Sequence, residues 1–165
     1  MLKLSGLKDS KNLRLFLFFF PLILCGSLIP SRLSVSLTPS LDHRLFFLDR
    51  SPDPYDIKKY DYVLFIFSSK YINNGKPVKA IKQVACDEGE ILKVTENDYY
   101  CNDNEFIGKA KDYSLKGEKL ERFVYNGKVP EGYVFVAGRH KDSFDSRYYG
   151  FIKKKDIKAI AYPLW

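Results

Sequence analysis

Two hydroxyls, a carboxylate and a guanidinium are concentrated in five positions near the C-terminus, in the segment Ser143-Phe144-Asp145-Ser146-Arg147. A strand that needs only one half-buried face would alternate apolar and polar residues instead. Such a polar cluster satisfies its members as an interlocked hydrogen-bond network, and rigid sites use such networks to orient a reacting side chain. The structural alternative is a surface turn with an Asp145–Arg147 ion pair.

The nucleophile of such a site would be a serine, and a serine needs a base. Histidine is the usual base, and the chain has two histidines, His43 close to a serine cluster and His140 in the loop before Ser143. A Ser-His-Asp triad is therefore one solution that the residue types allow. The other solution is a Ser-Lys dyad, in which burial penalises the charged form of a lysine and so holds it neutral.

Lys82 fits a dyad better than any other lysine. It lies in an apolar stretch with Ile81, Val84 and Ala85, which indicates a largely buried strand. On this pattern alone, however, an outward-facing strand lysine is the simpler interpretation.

The composition favours one β-rich domain. The 165 residues include 12 Tyr and 13 Phe, which are enriched in strands. The formal net charge of +7 comes from lysines that are scattered outside the Lys153–Lys155 run. We interpret this charge as a solvated surface suited to anionic lipid headgroups and expect no nucleic-acid partner.

The N-terminal region predicts a membrane anchor. Residues 15–31 form an uncharged stretch of 17 residues between a basic segment, residues 1–14, and Arg32. That length is at the lower end of the range of about 17–25 that spans a bilayer. The basic flank predicts a cytoplasmic tail at 1–14 and an extracytoplasmic domain at 32–165. A cleaved signal peptide is the alternative, although its apolar core is usually about 7–15 residues long.

Beyond the anchor the chain reads as short strands. The apolar runs at 62–67, 91–94 and 133–136 have strand composition, and no segment after residue 45 has a sustained helical period. We therefore predict a mostly β, antiparallel, barrel-like or sandwich-like catalytic domain carried on a single transmembrane helix. Residues 102–130 are charged and weakly patterned, which predicts an insertion.

The cysteines leave two interpretations open. Cys86 and Cys101 lie 15 positions apart across a predicted hairpin, on the predicted outer side of the membrane. They form either a disulfide, which an oxidising compartment permits, or two buried free thiols. With two histidines and no Cys-x-x-Cys motif, the sequence predicts no metal site and no cofactor.

Three segments, in this order, resemble the signal peptidase I (leader peptidase) superfamily of membrane-anchored serine endopeptidases. They are the serine-rich segment at 36–41, the lysine segment at 81–90 and the Ser-x-Asp-Ser-Arg-Tyr segment within 138–150. The last is the most specific of the three. The single anchor and short ectodomain look most like the conjugative-transfer (TraF-type) branch, which processes pilin precursors. The residues at 159–165 also resemble the family's closing strand.

The resemblance implies a nucleophile in the first segment but allows two alignments. The conjugative-branch pattern makes Ser40 the nucleophile and gives Thr38 the oxyanion-hole hydroxyl. The general family pattern makes Ser36 the nucleophile, with Ser34 in the Thr38 role. We prefer Ser40, because the residues that follow it continue the conjugative-branch pattern.

The resemblance also assigns the remaining roles. Lys82 would be the general base, Ser143 would orient the Lys82 ammonium, and Asp145 and Arg147 would form a supporting ion pair. The implied substrate is an exported precursor protein, a pilin or other conjugative-transfer protein, cut at the outer face of the bacterial inner membrane. The alternatives are a housekeeping signal peptidase and a non-catalytic part of a transfer apparatus. Arg139-His140 replaces the Asp-Asn that the family places after the glycine.

Overall fold

The computed structural model describes residues 19, 32–36 and 40–165. The chain divides into two units, Met1–Leu33 and Ser34–Trp165, and the fold given below is that of the second. The predicted cytoplasmic tail lies outside the described residues, as does the predicted anchor at 15–31 apart from Phe19. Among the described residues, no helix combines the length and the apolar character needed to cross a bilayer.

The second unit is built from short strands, and the predicted mostly β, antiparallel fold is confirmed. Helical structure between residues 40 and 165 is limited to α1 (Ser146–Tyr149) and three 3-10 turns at Pro54–Asp56, Asn73–Gly75 and Lys154–Asp156. The strands are β1 (Leu33–Val35), β2 (Leu45–Arg50), β3 (Tyr62–Phe67), β4 (Val78–Cys86), β5 (Ile91–Thr95), β6 (Asp98–Cys101), β7 (Glu105–Lys109), β8 (Gly127–Lys128), β9 (Tyr133–Ala137), β10 (Ile152–Lys153) and β11 (Ala159–Pro163).

The strands form two sheets. A seven-stranded sheet has the order β1-β2-β11-β3-β4-β9-β10, and a four-stranded sheet has the order β7-β6-β5-β8. The C-terminal strand β11 inserts between β2 and β3, where Ala161 pairs with Leu48 on one side and with Tyr62 on the other. This places β4, which carries Lys82, between β3 and β9 in the interior of the larger sheet.

Apolar side chains are buried on both faces of β4. Ile81 belongs to a cluster with Leu41, Phe46 and Leu64, whereas Val84 belongs to a separate cluster that includes Val63, Phe65 and Val136. Side chains three apart on a strand point to opposite faces. A strand buried on both faces offers sites for a desolvated side chain on either of them, and Lys82 occupies one.

The stretch at 102–130 contributes to the smaller sheet. It supplies β7 and β8, and the side chains of Ala110, Leu120 and Val129 within it are buried. Ala110 and Val129 belong to the cluster under this sheet, together with Tyr99, Leu92 and Phe135. A disulfide between Cys86 on β4 and Cys101 on β6 joins the two sheets.

Candidate active site

Lys82 is a buried lysine at the centre of the candidate site. Its residue is 5% exposed, and on β4 it lies opposite Val63 of β3. The ammonium Nζ donates a hydrogen bond of 2.8 Å to the hydroxyl Oγ of Ser143. Removing this ammonium from water penalises its charged form.

Burial lowers the pKa of Lys82 from its ordinary value of 10.5 to about 8. The nearby carboxylate of Asp145 works in the opposite direction, and the guanidinium of Arg147 adds to the lowering. A lysine with such a pKa is neutral in an appreciable fraction of molecules near neutral pH. In that form it can accept a proton from a hydroxyl.

The loop at 138–143 connects Lys82 to Ser40. A methyl group added to Gly138 would come within 2.2 Å of the Ser143 hydroxyl and 2.8 Å of the Ser40 carbonyl oxygen. That carbonyl also accepts a hydrogen bond of 3.3 Å from the backbone N–H of His140. The absence of a side chain at Gly138 therefore allows the backbone of Ser40 to lie beside the hydroxyl that contacts Lys82.

A fully buried ion pair between Asp145 and Arg147 helps to hold this loop in place. Asp145 and Arg147 are 0% and 2% exposed, and the guanidinium donates two hydrogen bonds to the carboxylate, at 2.8 Å from Nε and 2.7 Å from Nη2. The same carboxylate accepts a 2.9 Å hydrogen bond from the N–H of Gly138 and caps the N-terminus of α1. Bidentate, charge-assisted bonds of this kind fix geometry as well as charge.

Arg147 extends these contacts to the smaller sheet. Its Nη1 donates to the carbonyl of Lys109 at the end of β7, at 2.7 Å, and its Nη2 lies 3.3 Å from the carbonyl oxygen of Ser143. Ser146, the other hydroxyl of the segment, accepts a 3.0 Å hydrogen bond from the N–H of Val136 on β9. Every polar side chain of the segment 143–147 thus has a buried partner.

The two serine candidates lie in different surroundings. The carbonyl of Ser40 contacts the loop at 138–143, whereas the backbone N–H of Ser36 donates to the carbonyl of Arg44 at 2.7 Å. Thr38 lies outside the described residues. The position of its hydroxyl therefore stays a prediction.

The histidines have other partners. The ring of His43 makes edge contacts with Phe46 and Tyr62. The ring of His140 is exposed, and its Nδ1 accepts a 3.2 Å hydrogen bond from the N–H of Asp142. Lys82 differs from both histidines in being buried and in contacting a hydroxyl of the 143–147 segment.

The disulfide accounts for a group with metal-ligand composition. Cys86, Cys101 and Glu90 lie within 4.8 Å of one another. The two sulfurs are bonded to each other, so neither is a thiolate that could bind a metal ion.

The ion pairs of Arg139 and of Lys154 were not anticipated from the sequence. Arg139 Nη1 lies 3.2 Å from the carboxylate of Asp42, two residues after Ser40, with both side chains about 60% exposed. Lys154 is buried, and its ammonium lies 2.9 Å from Asp87 and 3.1 Å from Glu88. Residues that pair across long stretches of sequence leave no local pattern.

Comparisons with known proteins found a matching family, a similar sequence and a similar structure. Residues 13–165 match the family described as signal peptidase, peptidase S26. A signal peptidase I of Aquifex aeolicus is 30% identical over 110 residues, which cover 66% of this chain. Those residues make up only 39% of the Aquifex protein. A crystal structure of a signal peptidase I from Enterococcus faecalis aligns with a TM-score of 0.38 and 24% identity, over 64% of this chain and 96% of the solved one.

The family match extends over nearly the whole chain and includes all three segments in which sequence analysis placed candidate residues. On that match, the chain belongs to the signal peptidase family, peptidase S26.

Proposed function

We propose that this protein is a membrane-anchored serine endopeptidase that cleaves an exported precursor, a pilin or another conjugative-transfer protein, with a Ser40–Lys82 dyad. The observation that carries the proposal is the environment of Lys82. This lysine is buried, its pKa is lowered to about 8, and its ammonium contacts a hydroxyl that lies beside the backbone of Ser40. A lysine serves as a base only where its neutral form is accessible, and burial provides that.

The reaction would proceed in two stages. Lys82 removes the proton from the Ser40 hydroxyl as the oxygen attacks the scissile carbonyl, and then returns that proton to the leaving amine. The Ser40 backbone N–H and the Thr38 hydroxyl would stabilise the oxyanion, at about 3 kcal/mol for each donor. The acyl-enzyme on Ser40 would be released by water, or by an amine if the product is cyclised.

Positioning in this mechanism falls to the loop at 138–143 and the ion pair behind it. Ser143 accepts a hydrogen bond from Lys82 and so holds the amine in one orientation. The Asp145 carboxylate accepts hydrogen bonds from the N–H of Gly138 and from Arg147. Both residues would therefore position the loop without contacting the substrate. A base that is already held in the right orientation lowers the entropy cost of reaching the transition state.

The proposed topology places the domain outside the cytoplasm. The stretch at 15–31 would be a single-pass anchor in the bacterial inner membrane, with residues 1–14 in the cytoplasm and the catalytic domain in the periplasm. A reporter that is active only in the periplasm, fused after residue 165, should be active. An inactive fusion that is present at full length would contradict this topology.

The test of the activity is a processing assay. The protein is co-expressed with a tagged candidate prepilin, and the mass of the substrate is followed for wild type, Ser40→Ala and Lys82→Ala. Matched controls are Ser36→Ala, for the other serine alignment, and Lys79→Ala, an exposed lysine on the same strand. We expect cleavage in wild type and both controls and none in the other two variants.

Two outcomes would redirect the assignment. Loss of cleavage in Ser36→Ala but not in Ser40→Ala would move the nucleophile by four residues. Unchanged processing in all variants would mean that another enzyme cuts the precursor. In that case a non-catalytic role in a transfer apparatus would replace the present proposal.

A second candidate function is a housekeeping signal peptidase that removes secretory signal peptides. The name of the Aquifex relative favours it. Depletion of the protein separates the two, because loss of a housekeeping enzyme stops growth and accumulates secretory precursors. Loss of a conjugative enzyme would impair only transfer.

A further inference from the structure

A small cleft opens beside Ser143, on the side of the loop at 138–143 that faces the segment 111–120. Its volume is about 190 Å³, which is below the roughly 300–1,000 Å³ of a typical small-molecule site. A cleft of that size has room for one large amino-acid side chain. We call it the side cleft.

Aromatic and aliphatic side chains form much of its wall. Phe144 stacks on Tyr148 with ring centroids 5.0 Å apart and packs against Tyr71 at 5.9 Å. Ile72 and the buried Leu120 complete the apolar lining. Stacked rings fix the shape of such a wall, because each ring restricts its neighbours.

The segment 111–120 forms the opposite wall as a self-supported hairpin. Tyr113 pairs with Lys119, and the N–H of Ser114 donates to the carbonyl of Glu118 at 2.8 Å. At the tip, Leu115 lines the cleft while 85% of its surface is exposed. Leu115 thus adds an exposed apolar side chain to the mouth of the cleft.

The charges around the side cleft balance. Lys111 forms an ion pair with Asp142, so these two neutralise each other, and Lys116 and Glu118 contribute one charge of each sign. A wall of this kind gives no net attraction to an acidic or basic group. An uncharged apolar side chain is therefore its best occupant.

Ser143 connects the side cleft to the candidate active site. It is part of the lining, and its hydroxyl accepts the hydrogen bond from Lys82. A polypeptide lying across the site would thus pass the mouth of the cleft within a few residues of the bond being cut. We propose that the side cleft binds one apolar side chain, aromatic or branched, of the precursor and so contributes to substrate choice; this rests on the proposed function.

The test uses the full chain in detergent and synthetic peptides. Each peptide has alanine at the first and third positions before the cut, where the resemblance to the signal peptidase family implies small residues, and serine elsewhere. One phenylalanine is moved through about six positions on either side, a reach of about 20 Å in extended form. Cleavage is measured as kcat/KM for wild type, Leu115→Asp, Ile72→Asp and the control Val124→Asp. Val124 is a similarly exposed apolar residue outside the lining.

We expect phenylalanine at one position to raise kcat/KM about tenfold or more over the serine peptide, as burial of one large apolar side chain would. Glutamate or lysine at that position should give no gain. Leu115→Asp and Ile72→Asp should reduce the gain severalfold, whereas Val124→Asp should retain it. No gain at any position, or a gain unchanged in the two cleft variants, would overturn the proposal.

A binding measurement separates this proposal from the proposed function. Ser40→Ala protein is titrated with the labelled phenylalanine and serine peptides and followed by fluorescence anisotropy. Preferential binding of the phenylalanine peptide by a protein whose wild type cleaves nothing would support the side cleft and contradict the peptidase. If wild type cleaves the peptides but the Ser40→Ala protein binds both equally, the peptidase is supported and the side cleft is contradicted.

Discussion

Burial of Lys82 makes folding less favourable, but it also makes the neutral, proton-accepting form of this lysine accessible. The lowering of the Lys82 pKa from 10.5 to about 8 corresponds to a cost of about 3 kcal/mol for keeping its charged form in the folded protein. That is a large fraction of the 5–15 kcal/mol or so that stabilises a typical domain. The hydrogen bond to Ser143 offsets only part of it.

The first consequence is a pH dependence of catalysis. Only neutral Lys82 can accept the serine proton, so kcat/KM should rise about tenfold per pH unit below about pH 8 and level off above it. A pH–rate profile of the purified protein on a cleavable peptide measures this. Lys79→Met, at an exposed position of the same strand, should give the same profile. A profile without this rise below about pH 8 would contradict Lys82 as the base.

The second consequence concerns stability. Because the pKa of Lys82 is lower in the folded than in the unfolded protein, the unfolded state binds more protons between about pH 8 and 10.5, and stability gains from rising pH in that window. Lys82→Met should therefore raise the free energy of unfolding by up to about 3 kcal/mol below pH 8. The difference from wild type should shrink towards pH 10.5. Urea unfolding across this range measures it, and a variant destabilised at neutral pH would contradict it.

The burial of Lys82 could not be predicted from the local sequence pattern. The strand pattern alone favoured an outward-facing lysine, since Ile81 beside it is apolar and alternation would place Lys82 on the other face. That rule assumes one solvent-facing side. In the fold β4 lies between β3 and β9 with apolar side chains packed on both faces, which is a property of strand order that no local window contains.

At the scale of elements, the loop at 138–143 brings groups from distant parts of the chain together. It follows β9, contacts the carbonyl of Ser40 and supplies the hydroxyl that holds Lys82. The N–H of Gly138 is in turn held by Asp145 at the start of α1. The short helix and the strand end therefore act as a frame for the loop. The polar composition of 143–147 predicted such a network, but its backbone contacts have no residue-type signature.

Gly138 is the position where this frame is tightest, and Gly138→Ala should disrupt it. The added methyl group would meet the Ser143 hydroxyl at 2.2 Å and the Ser40 carbonyl at 2.8 Å, so one of them must move. A shift of about 1 Å in a reacting group can cost about 100-fold in rate. We expect a loss of that order in kcat/KM on a cleavable peptide.

The control for this substitution is Gly75→Ala. Gly75 has open space around it but a φ of +80°, so alanine there introduces backbone strain without a clash. It should lower the free energy of unfolding by about 1 kcal/mol and leave kcat/KM unchanged. Equal activity of Gly138→Ala and wild type would show that the loop tolerates the displacement and that Ser143 does not need its present position.

At the scale of the whole molecule, a disulfide links the two sheets, and a hydrogen bond from a buried arginine links α1 to the smaller sheet. The disulfide joins β4 to β6, and Arg147 reaches from α1 to the end of β7. The stretch at 102–130, which composition suggested as an insertion, supplies two of the four strands of the smaller sheet, and one of them, β7, accepts the hydrogen bond from Arg147. Its charged residues lie on the outer surface, while a few apolar ones, such as Leu120 and Val129, are buried.

The disulfide should therefore be required for full stability. The cysteines are 15 residues apart, and closing a loop of that length stabilises a fold by about 3 kcal/mol in the chain-entropy model. In a Cys25→Ala background, which removes the third cysteine, replacing Cys86 and Cys101 by alanine should lower the free energy of unfolding in urea by about that amount. Reductant should bring the parent protein to the same value and leave the variant unchanged. Equal stability of parent and variant without reductant would contradict a structural disulfide. A loss confined to reducing conditions would mean that the domain is fully stable only where disulfides persist, which agrees with the proposed extracytoplasmic location.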